Sequence, residues 1–351
     1  MGGSGIVQFV VKLIMSKRRI FSRRQEASRF RLPIGWLLVI VAIGLCMLIP
    51  ANQINLSTIN VSDPELPTPL ATFTLPPPPT KQNIGRIIFT CTRGEFNQLC
   101  LINADGTGYQ QITNVGAHNY YPVYSPKGGS IVYASNQNGG AFDLFLFVFE
   151  GSRLIRLTNF IGNVVSPSFS PDGTRILFAN QAGQGPTSLW TVESTGENAD
   201  LLYSGPNTIV SADWSPDGST IAFAMAVNQP DSYEIFLMGA DGSNVRQLTR
   251  GLAGIGGSLD WSPDGKFLLI YAGPSGDKDV FRIDVAEQTA VQLTDGGNNA
   301  ACSYSPDGAW IAFNSLRNND QADIFIMRAD GSGLRQVTTN PEPDWQPHWE
   351  P

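Results

Sequence analysis

The chain has 351 residues, and its 36 Gly and 24 Pro make it too rich in helix-breaking residues for a mainly helical protein. Only 15% of the residues are charged, which excludes an ordinary disordered polyampholyte and a long coiled coil. The formal net charge of −7 disfavours a nucleic-acid partner, because phosphate backbones are bound by an excess of Lys and Arg.

The charge is distributed unevenly. Residues 1–31 contain eight Lys or Arg residues and one acid, whereas the other 320 residues contain 15 bases and 29 acids. Residues 34–49 follow this basic segment as an uncharged apolar run between Pro33 and Pro50, near the shortest length that spans a ~30 Å hydrocarbon core. Because basic flanks stay in the cytoplasm, we expect one uncleaved transmembrane helix over residues 32–51. The N-terminus is then inside the cell membrane and the rest of the chain outside.

Other interpretations of the apolar run are less favoured. A cleaved signal peptide needs a small-residue cleavage site after the run, and none is evident. A lipoprotein needs a small residue before Cys46, where the chain has Leu45. A buried core helix does not account for the basic flank. Residues 52–83 are rich in Pro and include four consecutive prolines at 76–79. We therefore expect a stiff, extended linker.

A tetrapeptide repeats through the remainder. Ser-Pro-Asp-Gly occurs four times and is preceded by one Ser-Pro-Lys-Gly variant, at successive spacings of 45, 45, 47 and 43 residues. The copies begin at Ser125, Ser170, Ser215, Ser262 and Ser305, each directly after an aromatic residue. Pro sets its own φ and Gly accepts a positive φ, so the tetrapeptide suits a tight turn between two strands.

Each unit continues with two apolar strands, in several copies an Ala-Asp-Gly turn, and a short last strand. A period near 45 residues with four antiparallel strands is typical of a β-propeller blade. Residues 344–351 match the start of a unit, and residues 86–113 match the other three strands. We therefore predict an all-β domain at 84–351, a six-bladed propeller closed by N- and C-terminal strands that share one blade.

These repeats resemble the TolB-like family of WD-type β-propeller proteins, over residues 84–351. The resemblance implies the propeller fold and suggests protein partners. It specifies function less well, because the family also includes accessory domains of peptidases and some lyases. Residues 193–197 and 202–204 depart from the repeat, which puts the outer edge of the third blade in doubt.

Two sets of candidate site residues follow from the repeat. The channel mouth is expected just before each inner strand, where aromatic and amide side chains suit recognition: His118, Tyr120, Tyr121, Asn163, Asn299, Asp344 and Trp345. An axial polar layer is expected one residue before each inner-strand aromatic: Ser168, Asp213, Asp260, Ser303 and His348. Asp213, Asp260 and His348 are the most reactive combination that the layer offers, and binding of channel water is the alternative.

The sequence offers no metal or cofactor motif. The Asp of each Ser-Pro-Asp-Gly is explained by turn formation, and no spacing matches a twelve-residue calcium loop. A Gly-x-Ser-x-Gly elbow is absent, and the chain has no room for a hydrolase domain. Cys91 and Cys100 fall on neighbouring strands, close to opposite each other, so either a disulfide or a reduced, packed pair is possible. Cys302 is expected to be buried.

The sequence thus favours a membrane-anchored, non-enzymatic module, with a monomeric propeller outside the cell membrane that binds a protein, peptide or envelope polymer at its mouth. The alternative is a carbohydrate-active lyase or hydrolase that uses the axial layer. A third interpretation is a sensor that passes an external signal to the basic segment.

Overall fold

The computed structural model describes residues 84–351 except Asn228 and Asn319. The described residues form six four-stranded antiparallel sheets, so the predicted six-bladed all-β propeller is confirmed. They include no helix that is long and apolar enough to cross a membrane. The basic segment at 1–31, the proposed transmembrane helix at 32–51 and the linker at 52–83 lie outside the described residues.

We number the blades in chain order and give their strands from the axis outward. Blade 1 combines the C-terminal strand β24 (Asp344–Trp349) with β1 (Arg86–Arg93), β2 (Phe96–Asn103) and β3 (Gln110–Gln111). Blade 2 contains β4 (Asn119–Tyr124), β5 (Ser130–Ser135), β6 (Asp143–Val148) and β7 (Arg153–Arg156), with a 3₁₀ turn at Glu150–Ser152. Blade 3 contains β8 (Asn163–Phe169), β9 (Arg175–Gln181), β10 (Ser188–Glu193) and β11 (Asp200–Tyr203).

The other three blades follow the same order. Blade 4 contains β12 (Ile209–Trp214), β13 (Thr220–Val227), β14 (Gln229–Gly239) and β15 (Arg246–Gln247). Blade 5 contains β16 (Leu259–Trp261), β17 (Phe267–Ala272), β18 (Asp279–Asp284) and β19 (Thr289–Gln292). Blade 6 contains β20 (Ala300–Tyr304), β21 (Trp310–Ser315), β22 (Asp323–Arg328) and β23 (Arg335–Gln336).

The turn at Ser170 shows how the repeat determines the blade. The Gly173 backbone N–H donates to the Ser170 carbonyl oxygen at 2.8 Å, and the Ser170 hydroxyl donates to Asp172 Oδ1 at 2.6 Å. Gly173 has a φ of 70°, which L side chains rarely adopt. The hydrogen bonds from Ser170 and Thr174 lower the pKa of Asp172 to about 2. The Asp of this tetrapeptide therefore serves the turn.

The hydrophobic core lies between the blades. One cluster contains Ile87, Phe89 and Trp349 of blade 1 together with Ala312 and Ile324 of blade 6. Since both faces of a blade are apolar, each blade buries its faces only against its neighbours. Ring closure is therefore required for the core. The closing strand β24 pairs antiparallel with β1, with Ile87 opposite Trp349 and Cys91 opposite Asp344.

The inner strands contain a bulge that the sequence analysis did not predict. Register shifts interrupt the pairing of β4, β8 and β20 with their neighbours, and the non-glycine residues Tyr121, Ser166 and Ala301 have φ values of 50–56° there. Gln346 of β24 has a φ of 53° at the corresponding place. Bulges of this kind redirect side chains at a strand end. They lie near the N-terminal ends of the inner strands.

Candidate functional site

One face of the ring, here called the mouth face, carries the loops that precede the inner strands and the loops between the second and third strands. Four of the residues predicted at the mouth are half-buried: His118, Tyr120, Tyr121 and Trp345. Asn163 is exposed. Asn299 and Asp344 are completely buried. The last two are therefore not available for direct ligand contact, contrary to the sequence-based expectation. Their polar atoms lie between neighbouring blades.

Four partly exposed rings from blades 1 and 2 form a group that we call the mouth strip: Phe96, His118, Tyr120 and Phe142. Ring centroids are 5.5 Å apart for Phe96 and His118, 6.0 Å for His118 and Tyr120, and 5.6 Å for Tyr120 and Phe142. The Asn97 side-chain amide donates to the Tyr120 hydroxyl at 2.6 Å. These contacts hold the rings in place, so a ligand meets a preorganised surface.

Most of the loops around the mouth strip carry no charge; the loop of Phe96, which contains Glu95, is the exception. Five consecutive mouth-face loops contain no Asp, Glu, Lys or Arg: residues 113–119, 136–142, 158–163, 182–187 and 204–208. Phe160 lies in one of them and is 59% exposed, beneath the Arg156 guanidinium at 4.3 Å from its ring centroid. The loops of the other half carry charges of both signs, including Lys278, Arg317 and Glu342. The mouth face therefore has an aromatic half with five uncharged loops, where Arg156 over Phe160 and Glu95 beside Phe96 are the neighbouring charges.

Sequence reasoning missed several residues of this face. Phe96, Phe142 and Phe160 come from different loops, and a single sequence gives no signal that these loops meet. Gln346 was also missed, because the bulge in β24 turns it toward blade 2. Its side-chain Oε1 accepts hydrogen bonds of 2.9 Å from the Tyr121 backbone N–H and from the Thr90 hydroxyl. Gln346 thereby connects the closing strand to the mouth.

The axial polar layer joins one blade to the next. The Trp261 backbone N–H donates to Asp213 Oδ2 at 3.1 Å, and the Tyr304 backbone N–H donates to Asp260 Oδ2 at 2.7 Å. Ser168 donates to the other Asp213 oxygen at 2.5 Å. In each pair the partners belong to adjacent blades. The acceptor side chains therefore satisfy backbone groups of the neighbouring inner strand.

His348 and Ser303 contribute to the same layer. His348 Nδ1 lies 3.4 Å from the Tyr124 backbone N of the next blade and 2.9 Å from the Trp349 carbonyl oxygen. Ser303 is buried and its hydroxyl donates to the Tyr304 carbonyl oxygen at 3.5 Å. The structure thus links Asp213 to Ser168, but it shows no hydrogen bond from His348 to either axial Asp among the described residues.

Burial alters the charge of the axial groups. It raises the pKa of Asp213 to about 6, against opposing hydrogen bonds from Ser168 and Trp261. Burial, together with the charge of Asp213, also raises the pKa of Asp260 well above its usual value. Burial lowers the pKa of His348 to about 4, so its imidazole is neutral at pH 7. A neutral imidazole can act as a general base, but among the described residues no hydrogen bond joins His348 to Ser168 or Ser303, so neither hydroxyl has the base partner of an activated nucleophile.

In the part of the chain that the structure describes, no group of three or more His, Cys, Asp or Glu side chains is arranged to hold a metal ion. Cys91 and Cys100 are joined by a disulfide, with their Cα atoms 5.8 Å apart. The two residues are not directly opposite, since Cys91 pairs with Gln98 and Cys100 with Phe89. Cys302 is a free, buried thiol, and burial raises its pKa.

Comparisons with known proteins agree with this architecture. A family described as "TolB beta propeller domain" matches residues 78–206. An uncharacterized protein of Agrobacterium fabrum is 36% identical over 118 residues, which cover 33% of this chain and 39% of that protein. The Tol-Pal system protein TolB of Anaeromyxobacter dehalogenans is 31% identical over 118 residues, which cover 34% of this chain and 27% of that protein. The matches thus span less than two fifths of the length of these relatives.

The fold is shared with a solved structure. The crystal structure of TolB from Acinetobacter baumannii is similar with a TM-score of 0.68 at 23% identity, over 76% of this chain and 67% of that chain. Likeness at this identity concerns the fold alone. Together with the family match and the relatives, it confirms the resemblance to the TolB-like propeller family that the Ser-Pro-Asp-Gly repeats indicate.

Proposed function

We propose that this protein is a membrane-anchored, non-enzymatic binding module whose propeller lies outside the cell membrane and binds a protein or peptide of the envelope at its mouth face. The observation that carries the proposal is the mouth strip, where four rings are held by contacts among themselves yet remain partly exposed. Aromatic side chains are frequent hot spots of interfaces, because they bury a large area at low entropic cost.

The uncharged loops narrow the class of partner. A ligand segment that packs on Tyr120 and Phe142 meets no charged side chain on the five uncharged loops, so apolar and amide groups suit it better than acidic or basic ones. The relative of A. dehalogenans is named for a Tol-Pal system. That name supports a protein partner in an envelope assembly, and an envelope polymer is the other ligand that the surface suits.

A lyase or hydrolase that uses the axial layer has less support. Such an enzyme needs a general base or a metal at the channel axis. Here Asp213 and Asp260 are acceptors for the inner strands of adjacent blades, and His348 contacts the backbone of Tyr124 and Trp349. These side chains have a structural explanation that requires no substrate.

The anchoring part of the proposal rests on the sequence. The apolar run within 32–51 and the basic residues before it favour a single-pass helix with the N-terminus in the cytoplasm. The proline-rich linker then separates the propeller from the bilayer. A protease added to intact spheroplasts should release the propeller and leave the basic segment protected, and the reverse pattern would contradict this orientation.

Site-specific photo-crosslinking tests binding at the mouth. A benzophenone amino acid replaces Phe160 in the full-length chain, which is then illuminated in its native membranes. The matched control carries the same group at Leu201, which is 52% exposed on the outer strand β11. We expect a discrete adduct from position 160 and none from position 201. Equal adducts at both positions, or no adduct at 160, would refute a mouth-face binding site.

A further inference from the structure

A buried side-chain amide closes the junction between blades 5 and 6. Asn299 is fully buried just before β20, and its Nδ2 donates to Asp279 Oδ1 at 3.1 Å, to Thr294 Oγ1 at 2.9 Å and to the Gly296 carbonyl at 3.0 Å. Asn119 occupies the same place between blades 1 and 2, where its Nδ2 donates to Gln98 Oε1 at 3.3 Å. In both junctions an N–H donor is therefore surrounded by oxygen atoms.

The junction between blades 6 and 1 lacks this donor. Asp344 stands in the place of Asn299, since the Asp344 backbone N–H donates to the Ala322 carbonyl as that of Asn299 donates to Lys278. Asp323 stands in the place of Asp279, and both carboxyl groups are almost completely buried. The Thr338 and Asn340 side chains lie close enough to Asp344 to lower its pKa, but among the described residues no group donates a hydrogen bond of normal distance and angle to either Asp344 oxygen or to Asp323 Oδ1. Three buried carboxyl oxygens thus face a site that holds an amide elsewhere.

The surrounding charges do not balance this pair. Arg93 at the end of β1 is the neighbouring cation, and its Nη1 lies 3.9 Å from Asp344 Oδ1 and 3.9 Å from Glu342 Oε2. The Arg93 guanidinium also donates to the Tyr109 hydroxyl and to the Thr92 carbonyl. One guanidinium, outside hydrogen-bond distance, therefore lies beside two acidic residues, Glu342 and Asp344. A proton on one carboxyl group reduces the excess and restores a donor.

We propose that Asp344 is protonated in the native ring, that its carboxyl O–H takes the place of the Asn299 amide, and that loss of this proton weakens the closing strand β24. On deprotonation the O–H bond breaks and the proton passes to solvent, leaving two facing carboxylates. β24 is the strand that completes blade 1, and Gln346 on it accepts the Tyr121 backbone N–H. The pairing of the closing strand β24, and through Gln346 the position of Tyr121 at the mouth face, thereby depend on pH.

The titration behaviour is consistent with this geometry. Burial raises the pKa of Asp344 to about 7, against smaller opposing effects of Thr338, Asn340 and Arg93. Burial also raises the pKa of Asp323. Because an exposed Asp has a pKa near ~4, the native state keeps a proton between about pH 4 and pH 7 that the unfolded chain has released. This group therefore makes stability fall as pH rises through that window, with no further change above it.

Thermal unfolding of the full-length chain and of D344N between pH 5 and pH 8 tests the proposal. Asn supplies the donor at every pH, so the two melting temperatures should be similar at pH 5, and D344N should be more stable at pH 8 by roughly 5 °C. A merely structural role of Asp344 gives a difference that does not change with pH. E342Q is the matched control: Glu342 is 45% exposed beside Arg93, so solvent screens its charge, and the variant should keep the loss of stability between pH 5 and pH 8.

Two further measurements keep the proposal falsifiable. N299D installs the same carboxyl pair between blades 5 and 6, and it should add a second loss of stability between pH 5 and pH 8. Addition of 1 mM CaCl₂ at pH 8 tests for a cation at the site. A constant difference between wild type and D344N, or a Ca²⁺-induced rise in wild type that removes the difference, would overturn the assignment of a proton to Asp344.

Discussion

The backbone N–H of Trp261 in blade 5 donates a hydrogen bond of 3.1 Å to the carboxylate of Asp213 in blade 4. The Tyr304 N–H of blade 6 makes the equivalent bond, 2.7 Å long, to Asp260 of blade 5. Inner strands have no strand partner on their axial side, so their backbone donors need another acceptor. The axial side chains supply it, which explains why polar residues recur at this position of the repeat.

Replacing Asp213 with Ala should destabilise the propeller. The Trp261 N–H and the Ser168 hydroxyl lose their acceptor in a buried site, which costs about 1–3 kcal/mol for each unsatisfied group. D213N keeps one acceptor oxygen and should lose less. Urea unfolding measures the free energy of unfolding of both variants. Equal stability of D213A and wild type would show that the bond between these blades contributes nothing.

Much of the fold was predictable because the repeat is local. Each Ser-Pro-Asp-Gly encodes its own turn, and the aromatic residue before it fixes the end of an inner strand. Ring closure was predictable too, since residues 344–351 repeat the start of a unit that residues 86–113 complete.

The site was less predictable, for two physical reasons. The inner-strand bulges place Tyr121 and Gln346 at positive φ, and neither residue type has a preference that signals such a conformation. The mouth strip combines Phe96 of one blade with Phe142 of the next, and such contacts depend on how the blades pack. Asn299 and Asp344 were expected at the surface. Their burial between blades depends on how the ring packs, which a single sequence does not show.

The disulfide should stabilise blade 1. Cys91 and Cys100 are separated by nine residues in the chain, and closing a loop of this size restricts the unfolded state by about 2–3 kcal/mol in the chain-entropy model. A reductant should therefore lower the melting temperature of the wild type. The C91A/C100A variant should start from a lower melting temperature and show no response to reductant. A wild-type melting temperature that is insensitive to complete reduction would contradict this expectation.

His348 should destabilise the protein in acid. Burial lowers the pKa of His348 to about 4, whereas an exposed His has a pKa near ~6.5. Between these values the unfolded state binds a proton that the native state does not. Stability from this group therefore rises from about pH 4 to about pH 6.5, and its full contribution is about 3 kcal/mol.

The variant H348N isolates this effect from that of the axial Asp residues, which titrate in both proteins. The difference in unfolding free energy between wild type and H348N should become more favourable to the wild type as pH rises from 4 to 6.5, and then stay constant. Urea unfolding at closely spaced pH values measures it. A difference with no slope in this range would mean that His348 keeps a normal pKa in the native ring.

Removal of the closing strand should unfold the entire propeller. Deleting residues 344–351 removes Trp349, which is buried against Ile87, Phe89 and blade 6. The deletion also exposes the backbone edge of β1, and each blade relies on its neighbours to bury its faces. We expect loss of the cooperative thermal transition and of near-ultraviolet circular dichroism.

The matched control deletes only Glu350 and Pro351, which removes the exposed ion pair between Arg86 and Glu350. Because exposed pairs contribute about 0–1 kcal/mol, the control should melt cooperatively within a few degrees of the wild type. A chain without residues 344–351 that melts like this control would show that the ring does not depend on its last strand.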